Sequence, residues 1–91
     1  MRKITQTRIF ANNKKRLHKN QIKELDNAIR KIQENPEIGI QKKGDLQSIY
    51  VYKHKITKQL FLIAYRFNHD TLTLLMIASH ENFYRDLKKL T

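Results

Sequence analysis

The sequence contains no cysteine, no tryptophan, a single proline and two glycines. Without thiols, neither a disulfide framework nor a thiolate metal site can form. So little proline and glycine excludes linker and low-complexity architectures and points to a chain structured along its length. Carboxylates are scarce as well, with 8 Asp and Glu against 19 Lys and Arg. Histidines at metal-ligand spacing are missing too, so no metal and no cofactor is expected. There is no glycine-rich phosphate loop, no GxSxG elbow and no paired carboxylate, which removes ATP hydrolysis, esterase and glycosidase chemistry. Long apolar runs are also absent. The longest, Leu60 to Tyr65, is far too short to cross a bilayer. Met1-Arg2-Lys3 is followed by the polar stretch Ile4 to Arg8, which supplies no apolar core for export. The expected location is therefore cytoplasmic, with no membrane partner.

What is present is charge. The 91 residues carry a formal +11, while 40% of them are hydrophobic. That length and composition support one domain, residues 1–91, around one core. A surface built only for solubility would mix the two signs more evenly. The excess of cations points instead to a polyanion, RNA first, or to an acidic protein partner.

The hydrophobic pattern predicts the element order β-α-α-β-β-β-α. Ile4 to Phe10 reads as a first strand, with β-branched residues in partial alternation. Asn12 and Asn13 open a basic stretch through Lys19 that reads as a short helix. Asn20 is a candidate cap for the next one. Ile22, Leu25, Ile29 and Ile32 recur at helical spacing, with Ala28 beside them, and Asn35-Pro36 ends that helix. Pro36 to Gly44 reads as a loop. A three-strand meander follows, over Ile49–Ile56, Leu60–Phe67 and Thr71–Ala78, with turns at Thr57-Lys58-Gln59 and Asn68-His69-Asp70. Ser79 then caps a last helix whose buried stripe is Phe83, Leu87 and Leu90. The expected fold class is α+β: a small mixed, mainly antiparallel four-stranded sheet, a helical hairpin packed on one face and a short C-terminal helix.

Two groups of residues could carry chemistry. Strand parity puts Lys53 and Lys55 on one face with Ile49 and Val51, opposite Tyr50, Tyr52, His54 and Ile56. Two ammonium groups so close repel each other unless an anion lies between them, and an RNA phosphate is such an anion. A solvated lysine face is the ordinary alternative. His80 stands where the last strand becomes a helix, and Tyr84 lies one turn later on the same side. Histidine is the side chain best suited to pass a proton near neutral pH, although a His and a Tyr at this spacing also arise by chance. His54 shares its face with Tyr52 and Ile56 and reads as a satisfied, partly buried histidine. Lys42 and Lys43 could reach a backbone phosphate.

The element order, together with Tyr52-Lys53-His54-Lys55-Ile56 leading to Ala64-Tyr65 and with Ser79-His80-Glu81-Asn82-Phe83-Tyr84, resembles the RelE/ParE superfamily, toxins of bacterial type II toxin–antitoxin systems. The resemblance runs from about Gln21 to Leu90. It implies a metal-independent, ribosome-dependent mRNA endoribonuclease of the RelE/YafQ-like branch, kept in check by a cognate acidic antitoxin. The catalytic roles of those toxins would fall on Lys53, Lys55, His80 and Tyr84. Lys42, Lys43, Lys58, Arg66 and Arg85 would bind RNA phosphates. One position departs from the pattern: Leu62 stands where RelE-type members often carry an arginine, and Arg66 or Lys58 would have to supply that charge. The departure leaves open the ParE-type alternative, a DNA gyrase inhibitor without nuclease activity.

Overall fold

Thr7 divides the first predicted strand in two. Its hydroxyl accepts the Phe10 N–H at 3.0 Å, the hydrogen bond of a helix N-cap, and donates to the Leu75 carbonyl at 2.6 Å. The chain therefore leaves the sheet after a short strand β1 (Lys3–Gln6) and enters a helix α1 (Arg8–Lys15). Phe10, expected at the end of a strand, is instead fully buried on that helix. The structure is a computed structural model describing residues 2–42, 48–56 and 58–87. After α1 come α2 (Lys19–Glu34), a 3-10 turn at Pro36–Ile38, and strands β2 (Ile40–Gln41), β3 (Tyr50–Ile56), β4 (Gln59–Phe67) and β5 (Thr71–Ser79). The helix α3 (His80–Leu87) is last. Lys43, Gly44, Thr57 and Leu90 lie outside the described residues.

The expected four-stranded, mainly antiparallel sheet is corrected. The sheet has five strands in the order β1-β5-β4-β3-β2, and it is mixed, because β1 runs parallel to β5. The added strand β2 falls in the stretch read as a loop. Two residues are too few to show a period. What makes them a strand is pairing of Ile40 with Val51 and Gln41 with Tyr50, extended by the Lys42 N–H donating to the Ile49 carbonyl at 2.8 Å. The parallel pair escapes local pattern for a different reason: the direction of β1 is set by the long crossover that joins it to the rest of the sheet.

α2 starts after His18, whose backbone N–H donates to the Gln21 side chain at 2.9 Å, so the cap lies two residues before Asn20. Leu25, Ala28 and Ile32 form its fully buried stripe. They pack with Phe10, Ile56, Ile63 and Tyr65 on one face of the sheet. Each large side chain so buried contributes roughly 1.5–3 kcal/mol. The opposite face is smaller. There Val51, Leu62, Ala64, Leu75 and Met76 meet Phe83 and Leu87 of α3. Leu75 and Met76 serve the same face because the β4–β5 register shifts between Ala64 and Tyr65, which places one extra residue in β5.

Tyr65 pins the 3-10 turn to the first face. Its hydroxyl donates to the Pro36 carbonyl and accepts the Gly39 N–H at 3.0 Å. Burial pushes this phenol up to about 12, with the Gly39 N–H pulling the other way. Gly39 is required by close approach: a Cβ there would sit 2.5 Å from the Tyr65 hydroxyl and 3.0 Å from the Val51 carbonyl. No helix among the described residues is long and apolar enough to cross a membrane.

Candidate active site

The site is built at one end of the second sheet face, where α3 stops covering it. Ile49, just before β3, and Val51 within it are buried under α3, and the next two residues of that parity, Lys53 and Lys55, are exposed. Their cross-strand partners are Leu62 and Leu60. Phe61 in turn pairs with Ser79, so the register carried one residue further sets position 80 opposite Leu60. Lys55, Leu60 and the start of α3 therefore form one row across three strands. At about 4.8 Å between strands, the two outer backbones stand roughly 10 Å apart. A lysine and a histidine can bring their polar ends to one phosphate across that gap.

His80 lines a shallow depression of about 290 Å³ with Lys58, Gln59, Leu60 and Glu81. Lys58 from the turn is thus a near neighbour of His80. Arg66 is not. It lies at the far end of β4, paired with Thr73, six residues from Leu60 or roughly 20 Å along the strand. Of the two expected substitutes for the strand arginine, the fold brings only Lys58 to the histidine. Leu62 itself is fully buried beneath α3, in contact with the cluster that holds Phe83.

Tyr84 follows His80 by one turn and remains 39% exposed. Its hydroxyl accepts a hydrogen bond from the Lys42 ammonium at 2.9 Å, and that ammonium stands 4.8 Å from the centre of the ring. The contact joins two residues that the sequence assigned to different roles, and no spacing pattern signals it, because β2 is needed to bring Lys42 there. It also ties α3 to the segment that follows β2, at Lys42. Arg85 points elsewhere, spanning Asn82 at 3.3 Å and Asp86 at 3.6 Å on its own helix. Lys43 lies outside the described residues.

His54 departs from expectation on the first face. It is partly buried beside Tyr52, yet its Nε2 atom has no hydrogen-bond partner and stands 4.0 Å from Glu24. Burial first, and then the Lys31 ammonium, hold its pKa below the usual histidine value, while Glu24 pulls it upward. Among the described residues no cluster of three metal-ligating side chains occurs.

Residues 4–88 match the family model of the ParE-like toxin of type II bacterial toxin–antitoxin systems. The chain belongs to that family. No curated protein sequence matches it significantly. Among solved structures it is similar to the YoeB/ParE toxin from Agrobacterium tumefaciens, with a TM-score of 0.66 and 18% identity over 88% of this chain and 99% of that one. It is also similar to the conserved hypothetical protein HP0894 from Helicobacter pylori, with a TM-score of 0.54 and 22% identity over 89% of this chain and 97% of that one. At such identities the structures establish a shared fold. The family match makes this ParE-like toxin one half of a toxin–antitoxin pair, with an antitoxin as partner. It corroborates the superfamily resemblance carried by the strand and helix motifs.

Proposed function

We propose that this ParE-like toxin is a metal-independent endoribonuclease that cuts mRNA on the ribosome and so blocks translation in the cytoplasm. The observation that supports the reading best is the row formed by Lys55, Leu60 and His80, with Lys53 and Lys58 beside it, exposed at one end of an otherwise covered sheet face. The ribose 2′-oxygen attacks the adjacent phosphorus and the bond to the 5′-oxygen breaks, leaving a 2′,3′-cyclic phosphate and a 5′-hydroxyl end. One of the paired lysines, in its free-amine form, takes the 2′-hydroxyl proton; the other and Lys58 hold the charge that grows on the phosphate. His80 delivers a proton to the leaving oxygen. Tyr84, steadied by Lys42, orients the nucleotide. Arg85, which spans Asn82 and Asp86 on its own helix, and Arg66, at the far end of β4, stand away from this row and take no part in the step. Because the nucleophile is the substrate's own 2′-hydroxyl, DNA is not cut. The depression by His80 is open and shallow, which fits a substrate positioned by the ribosome.

One observation favours the second reading, inhibition of DNA gyrase without nuclease chemistry. The arginine position of RelE-type enzymes is a core leucine here, Leu62, with no room for charge. A paired assay on one preparation separates the two: mRNA toeprinting on programmed ribosomes, and supercoiling of relaxed plasmid by purified gyrase. Cleaved mRNA with supercoiling intact is the expected result. Blocked supercoiling with intact mRNA would overturn the nuclease reading.

A further inference from the structure

β1 pairs with β5 only as far as Leu74, and β5 runs on to Ser79. Beyond that point α1 takes over the edge. The Thr7 hydroxyl donates to the Leu75 carbonyl, and Asn13 Oδ1 accepts the Ile77 N–H at 3.2 Å. The connection from α1 to α2, the ends of β4 and β5, and α3 together enclose a cavity of about 330 Å³. That volume falls within the range of small-ligand sites, ~300–1,000 Å³. Gln59 and Ser79 line this cavity and also the depression that holds His80 and Lys58. The cavity and the phosphate row therefore adjoin at those two residues.

The chemistry of the cavity suits a base better than a phosphate. Leu17, Phe61 and Ile77 give it an apolar wall for a flat ring. Its polar groups are amides more than charges. Asn13 and Gln21 each commit the side-chain oxygen to a backbone N–H, Gln21 to that of His18 at 2.9 Å. Those bonds fix which end of each amide is which and leave two amino groups as donors. Among the described residues nothing accepts from them. Arg16 adds a further donor. Asp86 of α3, with one oxygen 3.6 Å from Arg85, brings a carboxylate to the same cavity. Donors from α1 and α2 and an acceptor from α3 call for a ligand with the reverse pattern. Guanine has it: O6 and N7 accept, while N1–H and the 2-amino group donate. Adenine presents a donor, its 6-amino group, where guanine presents O6.

We propose that this cavity takes a guanine base of the RNA, flanking the phosphate held at Lys55, Lys58 and His80. Asn13, Gln21 and Arg16 read O6 and N7, and Asp86 reads N1–H and the 2-amino group. The base reaches the cavity past Gln59 and Ser79, round the end of the sheet. Cut sites should then carry a guanine at one fixed distance from the scissile bond. The inference rests on the nuclease reading for its substrate, but its first test needs no cleavage.

That test is binding. A uridine hexamer with one central guanosine, 2′-O-methylated so that it cannot be cut, is titrated into the toxin. The side-chain amide signals of Asn13 and Gln21 are followed by NMR and should shift saturably. The guanosine hexamer should bind about tenfold or more tightly than its adenosine counterpart, as expected of one base read by paired hydrogen bonds. Asn13→Asp and Gln21→Glu keep an oxygen for the Ile77 or His18 N–H and exchange the amino group for a second oxygen. Each should cut the preference to about threefold or less with the thermal melt unchanged. Equal binding of the two hexamers overturns the proposal, as do shifts confined to the residues around His80. Equal affinity for guanosine monophosphate and for the hexamer also overturns it, because the cavity would then serve free nucleotides. On programmed ribosomes the two variants should still cut, with the guanine bias lost; a parent that cuts without such bias overturns the base pocket. A parent that cuts nothing fails the nuclease reading instead, and the hexamer titration then decides on the cavity alone.

Discussion

The two faces of the sheet are finished differently. The first is sealed: α1 and α2 close over it, and Tyr65 ties the 3-10 turn down through the Pro36 carbonyl and the Gly39 N–H. The second is only half covered. α3 buries Val51, Leu62 and Ala64, then leaves Lys53 and Lys55 to solvent on the same strand. The first face supplies most of the fold's burial. The second uses what remains to hold charges side by side on a rigid strand, which a loop could not do as well. Stability and the proposed chemistry are thus separated by the thickness of one sheet, and substitutions on the two faces should fail in different ways.

The largest effect should come from breaking the covered half of the second face. Leu62→Arg would restore the residue often found at this position in RelE-type members. Here, however, it would force a guanidinium into a fully buried site under α3. An unpaired buried charge of this kind should cost on the order of 4 kcal/mol or more. The expected outcome is a chain that melts far below the parent or does not fold, measured by circular dichroism. A stable and more active variant would mean that α3 leaves this position readily.

The exposed half should respond in the opposite sense. Lys53→Ala, Lys55→Ala and His80→Ala each should lower single-turnover cleavage on programmed ribosomes by about 10² or more, the usual contribution of an acid–base or charge-stabilising group. Removing exposed side chains should leave the thermal melt within about 0.5 kcal/mol of the parent. Unchanged cleavage by the His80 variant would remove that residue from the mechanism.

On the sealed face, Gly39→Ala places a methyl group against the Tyr65 hydroxyl and the Val51 carbonyl. The carbonyl belongs to the β3 ladder and cannot give way, so a loss of roughly 1–3 kcal/mol is expected from a chemical melt. Cleavage per folded molecule should be unaffected. A neutral result would show that the tie to the 3-10 turn is slack.

How much of this contrast was readable beforehand depended on the range of the interactions. The face of α2 and the parity of β3 are local periodicities, so the stripe from Leu25 to Ile32 and the shared side of Lys53 and Lys55 stood in the sequence. The break at Thr7 did not, because the carbonyl that draws its hydroxyl is on Leu75, across the chain. The strand Ile40–Gln41 and the Lys42–Tyr84 contact share that origin: each needs a partner far away in sequence. Lys58 and Arg66 looked equivalent as sources of charge. Only the register of β4 against β5 separates them, setting one beside His80 and the other at the opposite end of the strand.

The smallest expected effect tests whether the sealed face has a weak point at His54. Its side chain is 14% exposed, with Tyr52 beside it and Glu24, Arg30, Lys31 and Glu34 around the cleft it lines. Burial first, and then Lys31, hold its folded pKa below the ordinary histidine value of about 6.5, so protonation is harder in the folded chain than in the unfolded one. As pH falls from about 6.5, the unfolded state takes up a proton first, and the stability associated with a neutral His54 is progressively lost. Above that value the contribution is fully present. His54→Phe keeps a ring for Tyr52 to stack on and removes the titration. Its melting temperature should therefore fall less than the parent's between pH 7.5 and 5, although the many other charges shift both proteins together. Parallel curves for parent and variant would show that Glu24 or entering water satisfies the imidazolium, and that the sealed face has no acid-sensitive point at His54.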